Sequence, residues 1–288
     1  MHPILVKIGP VTIHTYGFLL AVGVVCGIGL SLILAKKENL DKKVLADFLF
    51  YAILVGLVGA KIWYFFTELG YYLKNPGEIP SLITSAGTFQ GGIIFAILFV
   101  LWYVRKHKLD FKVIGDVLAP AVALAHFFGR MGCFSAGCCW GREAHDSPIA
   151  LKFTNPETTT GVPHHIPLWP TQLMEAILNL LNFIILLFVF RKKKFNGQVF
   201  VLYIFNYSII RFFVEFFRGD DGRGYIFGGT EHPFTSLSVP QLVSIIAIIV
   251  AIMLFRRFKK AAAKAVGDRA QKAKDAKEHE EEKRGSRK

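Results

Sequence analysis

The segment VIGDVLAPAVALAHFFGRMGCFSAGCCWGR, residues 113–142, decides the fold. Its apolar run Val117–Phe128 ends on a cluster of arginine and glycine from Gly129 to Arg142. A guanidinium at the boundary of a hydrocarbon-soluble helix is expensive to leave alone, so Arg130 must face something anionic. In a membrane, the anion at that depth is a lipid phosphate.

The rest of the chain agrees with a lipid setting. Of 288 residues, 53% are hydrophobic and 27 are phenylalanine, and the mean hydropathy is +0.43. This composition exceeds the apolar content of a soluble domain. Seven apolar runs, at about 13–35, 44–66, 88–104, 113–131, 172–190, 198–217 and 239–255, have the length needed to cross roughly 30 Å of hydrocarbon. The pattern predicts an all-α integral membrane protein of about seven transmembrane helices, since lipid-exposed backbone must satisfy its hydrogen bonds within the span. The first run is read as a retained span: its basic cluster follows it, and no A-x-A site ends it.

The net charge of +13 is confined to short clusters between runs, which sets topology and gives no reason to expect nucleic-acid binding. Lys36, Lys37, Lys42 and Lys43, then Arg105 to Lys112, then Arg191 to Lys194, then everything from Arg256 onward, alternate with connections poorer in Lys and Arg. By the positive-inside rule the N-terminus lies outside and the C-terminus in the cytoplasm. Residues 1–258 are expected to form a polytopic catalytic domain, with 132–171 as a small exoplasmic cap. Residues 259–288, rich in Ala, Lys and Glu, are expected to form a charged cytoplasmic tail, a frayed helix or disorder.

Ionisable residues inside spans mark the candidate site. In the sixth, Tyr207, Arg211 and Glu215 recur every four residues and line one helical face, with Arg218 a turn further on. A self-neutralising Arg211–Glu215 pair is the plain explanation. Against it, the stripe runs out through Gly219, Asp220 and Asp221 to one surface. In the fourth span His126 precedes Arg130 by four residues. A lone histidine there is more often a packing or hydrogen-bonding residue than a catalyst.

The third span opens with Gln90 before Gly91 and Gly92, glycines that helix packing alone would explain. WPTQLMEA puts Trp169 at the interface and Gln172 and Glu175 in the apolar boundary. Tyr16, Gln90, Arg130, Gln172 and Arg218 then share the outer half of the bilayer, and two arginines from different spans offer planar forks suited to one phosphate. Three cysteines, Cys133, Cys138 and Cys139, sit beside Arg130. Their spacing matches no zinc pattern, so small-residue packing ranks first, a disulfide second and a nucleophile third. His145, Asp146, His164 and His165 in the cap read as a solvated loop before a metal site.

Together these stretches, from Tyr16-Gly17 through FQGG, DVLAPAVALAHFFGRMGCFSAGCCWGR, WPTQLMEA and RFFVEFFRGD, resemble bacterial prolipoprotein diacylglyceryl transferase over nearly everything before the tail. The resemblance implies transfer of diacylglyceryl from phosphatidylglycerol to the lipobox cysteine thiol of a prolipoprotein, releasing glycerol phosphate, at the outer side of the bacterial inner membrane. It implies no cofactor or metal, and a monomer. It places the phosphatidylglycerol-binding arginine on Arg130 and the second essential arginine on Arg211, and puts Tyr16, Gly141, Tyr207 and Glu215 on positions the family associates with the site. Tyr207 and Glu215 are expected to be catalytic with the two arginines, and Tyr16, Gly141 and, from their shared depth, Gln90 and Arg218 to bind phosphatidylglycerol with Arg130.

Two departures stand out. Many relatives carry histidine where this chain has Gln90, and asparagine and glutamate where it has Cys133 and Cys138. Gln90 cannot take a proton at neutral pH. Arg130 and Arg211 are therefore expected to stabilise the leaving phosphate and the thiolate, with Tyr207, Glu215 or His126 relaying the proton. A lipid transporter or channel without chemistry is the reading from another class, although the two halves of the chain show no repeat.

Overall fold

A computed structural model describes residues 2–9, 11–83, 87–158, 160–220, 223–229 and 234–285, so Asp221 lies outside the described residues. A hairpin of β1 (Ile4–Ile8) and β2 (Val11–His14) leads into α1 (Thr15–Lys37), α2 (Lys42–Thr67), the short α3 (Leu69–Lys74) and a 3-10 helix at Pro76–Ile83. Then come α4 (Phe89–Lys106), α5 (Phe111–Ala136), β3 (Leu151–Lys152), β4 (Pro167–Leu168), α6 (Thr171–Lys192), α7 (Gln198–Glu215), β5 (Tyr225–Phe227), β6 (Leu237–Ser238) and α8 (Val239–Gly285). The chain is a mostly helical, multi-pass membrane protein.

Among the described residues six helices are long and apolar enough to cross a membrane: α1, α2, α5, α6, α7 and the Val239–Asp268 part of α8. The remaining predicted run, the third at 88–104, coincides with α4, whose 18 residues give a rod of about 27 Å at ~1.5 Å per residue. Lys36 and Lys37, Arg105 and Lys106, and Arg191 and Lys192 fill the last turns of α1, α4 and α6, where cations also suit the negative end of the helix dipole. Large apolar side chains such as Val25, Leu57, Phe66, Phe188 and Met253 are more than half exposed. In a helix that faces hydrocarbon this is the expected outer surface.

The chain divides into two compact units, residues 28–114 and residues 1–27 with 115–288. In the first, α2 packs on α4. The close approach depends on glycine: a Cβ on Gly91 would stand 2.2 Å from Trp63 Cβ and 2.8 Å from the Gly59 carbonyl oxygen. Helix packing therefore accounts for Gly91. Tyr103 closes the other end, its hydroxyl donating to the Val44 carbonyl at 3.1 Å.

In the second unit α7 lies between α6 and α8, and its start is fixed from α5. Asp116, fully buried, accepts from the backbone N–H of Gly197 at 2.9 Å, Val199 at 2.9 Å and Phe200 at 3.0 Å, and from Lys193 Nζ at 2.9 Å. A helix begins with N–H groups that lack intrahelical partners, and a carboxylate from a neighbour satisfies them and complements the dipole.

Two helices run on past the ends expected for their apolar spans. The fourth span was expected to end near 131, with the cap beginning at 132. Instead α5 continues to Ala136, so Cys133 is helical. It stops where Gly137 turns left-handed at φ 79° and the N–H groups of Gly137 and Cys138 both return to the Cys133 carbonyl, at 2.9 and 3.1 Å. At the other end α8 crosses the expected boundary at 258 without a break, as the helix-favouring Ala, Lys and Glu of that segment permit. Beyond α5 the segment before α6 has its own small core of Phe153, Val162 and Leu168 against Trp140 and Ile166.

Candidate active site

Three helices turn polar faces toward one another in the second unit. On α6, Gln172, Glu175, Asn179 and Asn182 are all buried to within 2% exposure, at spacings that keep them on one side of the helix. On α7 the matching stripe is Tyr203, Tyr207, Arg211 and Glu215, and on α5 it is His126, Arg130 and Cys133. The stripes interlock. Asn206 Nδ2 donates to Asn182 Oδ1 at 2.9 Å, Tyr203 Oη meets His126 Nδ1 at 3.3 Å, and the His126 ring stands 4.9 Å from the Tyr207 ring.

The charges converge at the Glu215 end of these stripes. Arg130 Nη2 lies 2.8 Å from Glu175 Oε1, and Arg211 Nη2 lies 2.8 Å from Glu215 Oε2. Tyr207 is within electrostatic reach of Arg130, Arg211 and Glu175, which brings both predicted arginines to one phenol. In neither pair is the carboxylate oxygen in line with an N–H, and Arg211 Nη1 is buried with no acceptor among the described residues. These guanidiniums are held by charge yet keep donors to aim elsewhere.

Glu215 is shared. Its Oε1 receives Arg223 Nη1 at 2.6 Å, so the plain Arg211–Glu215 pair exists but is one part of a larger network. Arg218 is already engaged: Nε and Nη2 grip Asp220 at 2.6 and 2.5 Å. Burial works against its charge, and the Asp220 hydrogen bonds overcome that, raising its pKa above the ordinary value. Among the described residues, Arg130, Arg211, Arg218 and Arg223 share the carboxylates of Glu175, Glu215 and Asp220.

Backbone contacts position Arg218. Gly141 pairs with it in an antiparallel bridge, Arg142 N donates to the Phe217 carbonyl at 2.9 Å, and Gly219 N donates to the Trp140 carbonyl at 3.1 Å. A Cβ on Gly141 would meet the Trp169 carbonyl oxygen at 2.3 Å and that of Phe217 at 2.9 Å. Gly141 is therefore a packing position that lets these segments touch. Tyr16 is 40% exposed, stacks over Gly132, where a Cβ would be 3.0 Å from its Cδ2, and feels the charge of Arg130. It lines a cavity of about 600 Å³ with Pro3, His14, Gly17, Cys138 and Glu157. Gln90 is exposed in the first turn of α4, in the other compact unit.

This arrangement agrees with what similar proteins are. A family model described as Prolipoprotein diacylglyceryl transferase matches residues 3–257. The chain belongs to that family. Curated relatives named Phosphatidylglycerol--prolipoprotein diacylglyceryl transferase include one from Finegoldia magna, 36% identical over 82% of this chain and 87% of the relative. Another from Clostridium tetani is 33% identical over 85% and 93%, and one from Bordetella avium is 37% identical over 79% and 86%.

Three features of this member's site were not in the expected set. Glu175, the partner of Arg130, had a usable signal, a carboxylate inside an apolar run with Asn179 and Asn182 one and two turns on. Arg223, the second partner of Glu215, had none beyond its charge. The third is the cysteines. Although their spacing fits no zinc pattern, the Gly137 turn folds Cys138 and Cys139 back on Cys133, and the three sulfurs lie within 4.8 Å of one another. Hydrogen bonds from the Cys133 and Cys138 thiols, aided by the Arg218 and Arg130 guanidiniums, pull the Cys139 thiol well below its ordinary pKa, against the opposing effect of burial. The same bonds and burial push Cys138 up. Among the described residues His145, His164 and His165 join no comparable cluster; His145 pairs with Glu143 at 2.9 Å and His164 with Thr158 at 3.1 Å.

Proposed function

We propose that this chain is a transferase that moves the diacylglyceryl group of phosphatidylglycerol onto the lipobox cysteine thiol of a prolipoprotein. In the reaction the sulfur forms a bond to the terminal glycerol carbon of the diacylglyceryl group, and the bond from that carbon to the phosphate oxygen breaks. Glycerol phosphate leaves with the electron pair, and the thiol proton ends on solvent or on the phosphate.

The observation that carries this reading is the pair Arg130 and Arg211. Each is anchored by a buried carboxylate, both lie within electrostatic reach of Tyr207, and Arg211 Nη1 has no acceptor among the described residues. Preorganised donors aimed at a leaving phosphate stabilise charge as it develops and need no reorganisation at that moment. Tyr207 orients the phosphate oxygens, while Glu215 holds Arg211 and Arg223 in register. Tyr16 and the cavity beside it receive part of the lipid or the peptide. Arg218, gripped by Asp220, acts by shaping the loop and its field.

The positive-inside pattern supports seven spans in a bacterial inner membrane, with the N-terminus outside, the C-terminus in the cytoplasm and the site toward the exoplasmic side. Residues 1–258 form the catalytic body, with 132–171 as its cap, and the enzyme acts as a monomer. Incubating the purified protein with phosphatidylglycerol and a lipobox peptide should yield a peptide heavier by one diacylglyceryl group, in thioether linkage. Folded protein that binds the lipid but yields no adduct would replace this reading with lipid transport.

A further inference from the structure

Cys133, Cys138 and Cys139 have no place in the phosphate clamp, yet they are built to hold something. Cys133 projects from the last turns of α5, and the other two follow the left-handed Gly137 turn, with Cys139 itself left-handed at φ 61°. For a residue with a side chain that conformation is unfavourable and persists where surrounding structure enforces it. Here the enforcement is visible: Thr171 Oγ1 donates to the Cys139 carbonyl at 2.9 Å and Gln172 Nε2 to the Cys138 carbonyl at 2.9 Å. Both loop carbonyls are tied to the first turn of α6.

The three sulfurs, within 4.8 Å of one another, are close to the ~3.8 Å separation that tetrahedral zinc with Zn–S bonds of about 2.3 Å imposes. Small side-chain rotations close the difference. Arg130 and Arg218 both stand within electrostatic reach of Cys139, so the negative charge of three thiolates around a dication is balanced locally. Cys138 also lines the cavity shared with Tyr16 and His14, giving the cluster an open side.

We propose that Cys133, Cys138 and Cys139 form a zinc site with three protein thiolates, whose open fourth position takes the sulfur of the substrate thiol as a thiolate. The second half of this rests on the transferase reading above. Three protein ligands with one open position is the arrangement of catalytic rather than structural zinc, and a thiol that coordinates zinc is deprotonated. Loading the metal releases to solvent the protons of those cysteines that are still thiols, leaving all three as thiolates. The incoming thiol displaces water, its proton passes to bulk water, and the bound sulfur then attacks the glycerol carbon as phosphate leaves. The metal thus supplies what a histidine base would supply, in a chain that carries Gln90.

The test uses the full chain, purified in detergent under reducing conditions and loaded with zinc. X-ray absorption should show about three sulfurs at ~2.3 Å and one lighter ligand. Adding lipobox peptide without lipid should raise the sulfur count to four, and a peptide with alanine in place of its cysteine should leave it at three. All three protein thiols should resist maleimide until a chelator is added, a readout that needs no variant. Cys138→Ser should lose the cobalt-thiolate absorption of cobalt-loaded protein. Failure to retain metal, a disulfide within the trio, a monovalent metal held by three sulfurs with no fourth position, or a sulfur count fixed at three would each overturn the proposal. A thioether formed at an unchanged rate after zinc removal overturns it while sparing the transferase reading. Four sulfurs without any thioether on adding phosphatidylglycerol supports the site and refutes that reading.

Discussion

Replacing Asp116 with alanine should destabilise the protein severely and leave the chemistry of every molecule that stays folded untouched. The carboxylate is fully buried and accepts three backbone N–H groups at the start of α7 and the Lys193 ammonium, all at 2.9–3.0 Å. Loss of a helix cap alone costs about 0.5–2 kcal/mol, and removing one partner of a buried ion pair costs about 3–5 kcal/mol. The contributions overlap, so the expected loss is about 4 kcal/mol, or roughly 10 °C in melting temperature at ~2–4 °C per kcal/mol. Asp116→Asn keeps one acceptor oxygen and should fall between alanine and the parent. Arg211 lies 13 residues along the helix from Gln198, about 20 Å away at ~1.5 Å per residue, so turnover per folded molecule should not change. Thermal unfolding in detergent with active-fraction titration reads both quantities. A melting temperature within 2 °C of the parent (under about 1 kcal/mol), or full stability with lost turnover, would refute the assignment of Asp116 as the cap of α7.

Three further outcomes follow from the same geometry. Arg211→Ala should lower turnover by roughly 10²–10³-fold, the usual cost of one preorganised donor to developing charge, measured as thioether formed per minute; wild-type rates in this variant or in Arg130→Ala would dismantle the clamp. Gly141→Ala places a methyl 2.3 Å from the Trp169 carbonyl oxygen and should cost about 3 kcal/mol or more, since backbone on both sides resists displacement; unfolding curves check it. In reduced, metal-free protein Cys139 has its pKa pulled down by its thiol neighbours and by Arg218 and Arg130. The thiolate therefore persists as pH falls below ~8.5, where an ordinary free thiol loses about tenfold in labelling per pH unit, and iodoacetamide labelling followed by peptide mapping should show Cys139 reacting at pH 6.

The helices were legible because hydrocarbon demands a long apolar run and charge clusters must end it, and both are one-dimensional patterns. The α7 stripe of Tyr207, Arg211 and Glu215 was legible for a related reason: a helix repeats within a few residues, so one face can be read from spacing. Partners on other helices could not be read in that way. Glu175 is 45 residues from Arg130 and Asp116 is 77 from Lys193, and nothing in either helix's period selects the other. The cysteine cluster was missed for a local reason. Zinc spacings assume common turns, whereas here the helix runs five residues past its expected end and a left-handed glycine reverses the chain. The grip of Arg218 on Asp220 was equally out of reach, because it depends on how the loop after α7 turns back.

In the proposed transfer, lipid phosphate leaves as the sulfur–carbon bond forms. Phosphatidylglycerol labelled separately in its glycerol head group and in its acyl chains, presented with a lipobox peptide in a single turnover, tests it most directly. One glycerol phosphate should be released for every peptide that gains the acyl label, with no head-group label on the peptide. Head-group label retained on the peptide, or lipid consumed without any acyl-labelled peptide, would contradict it.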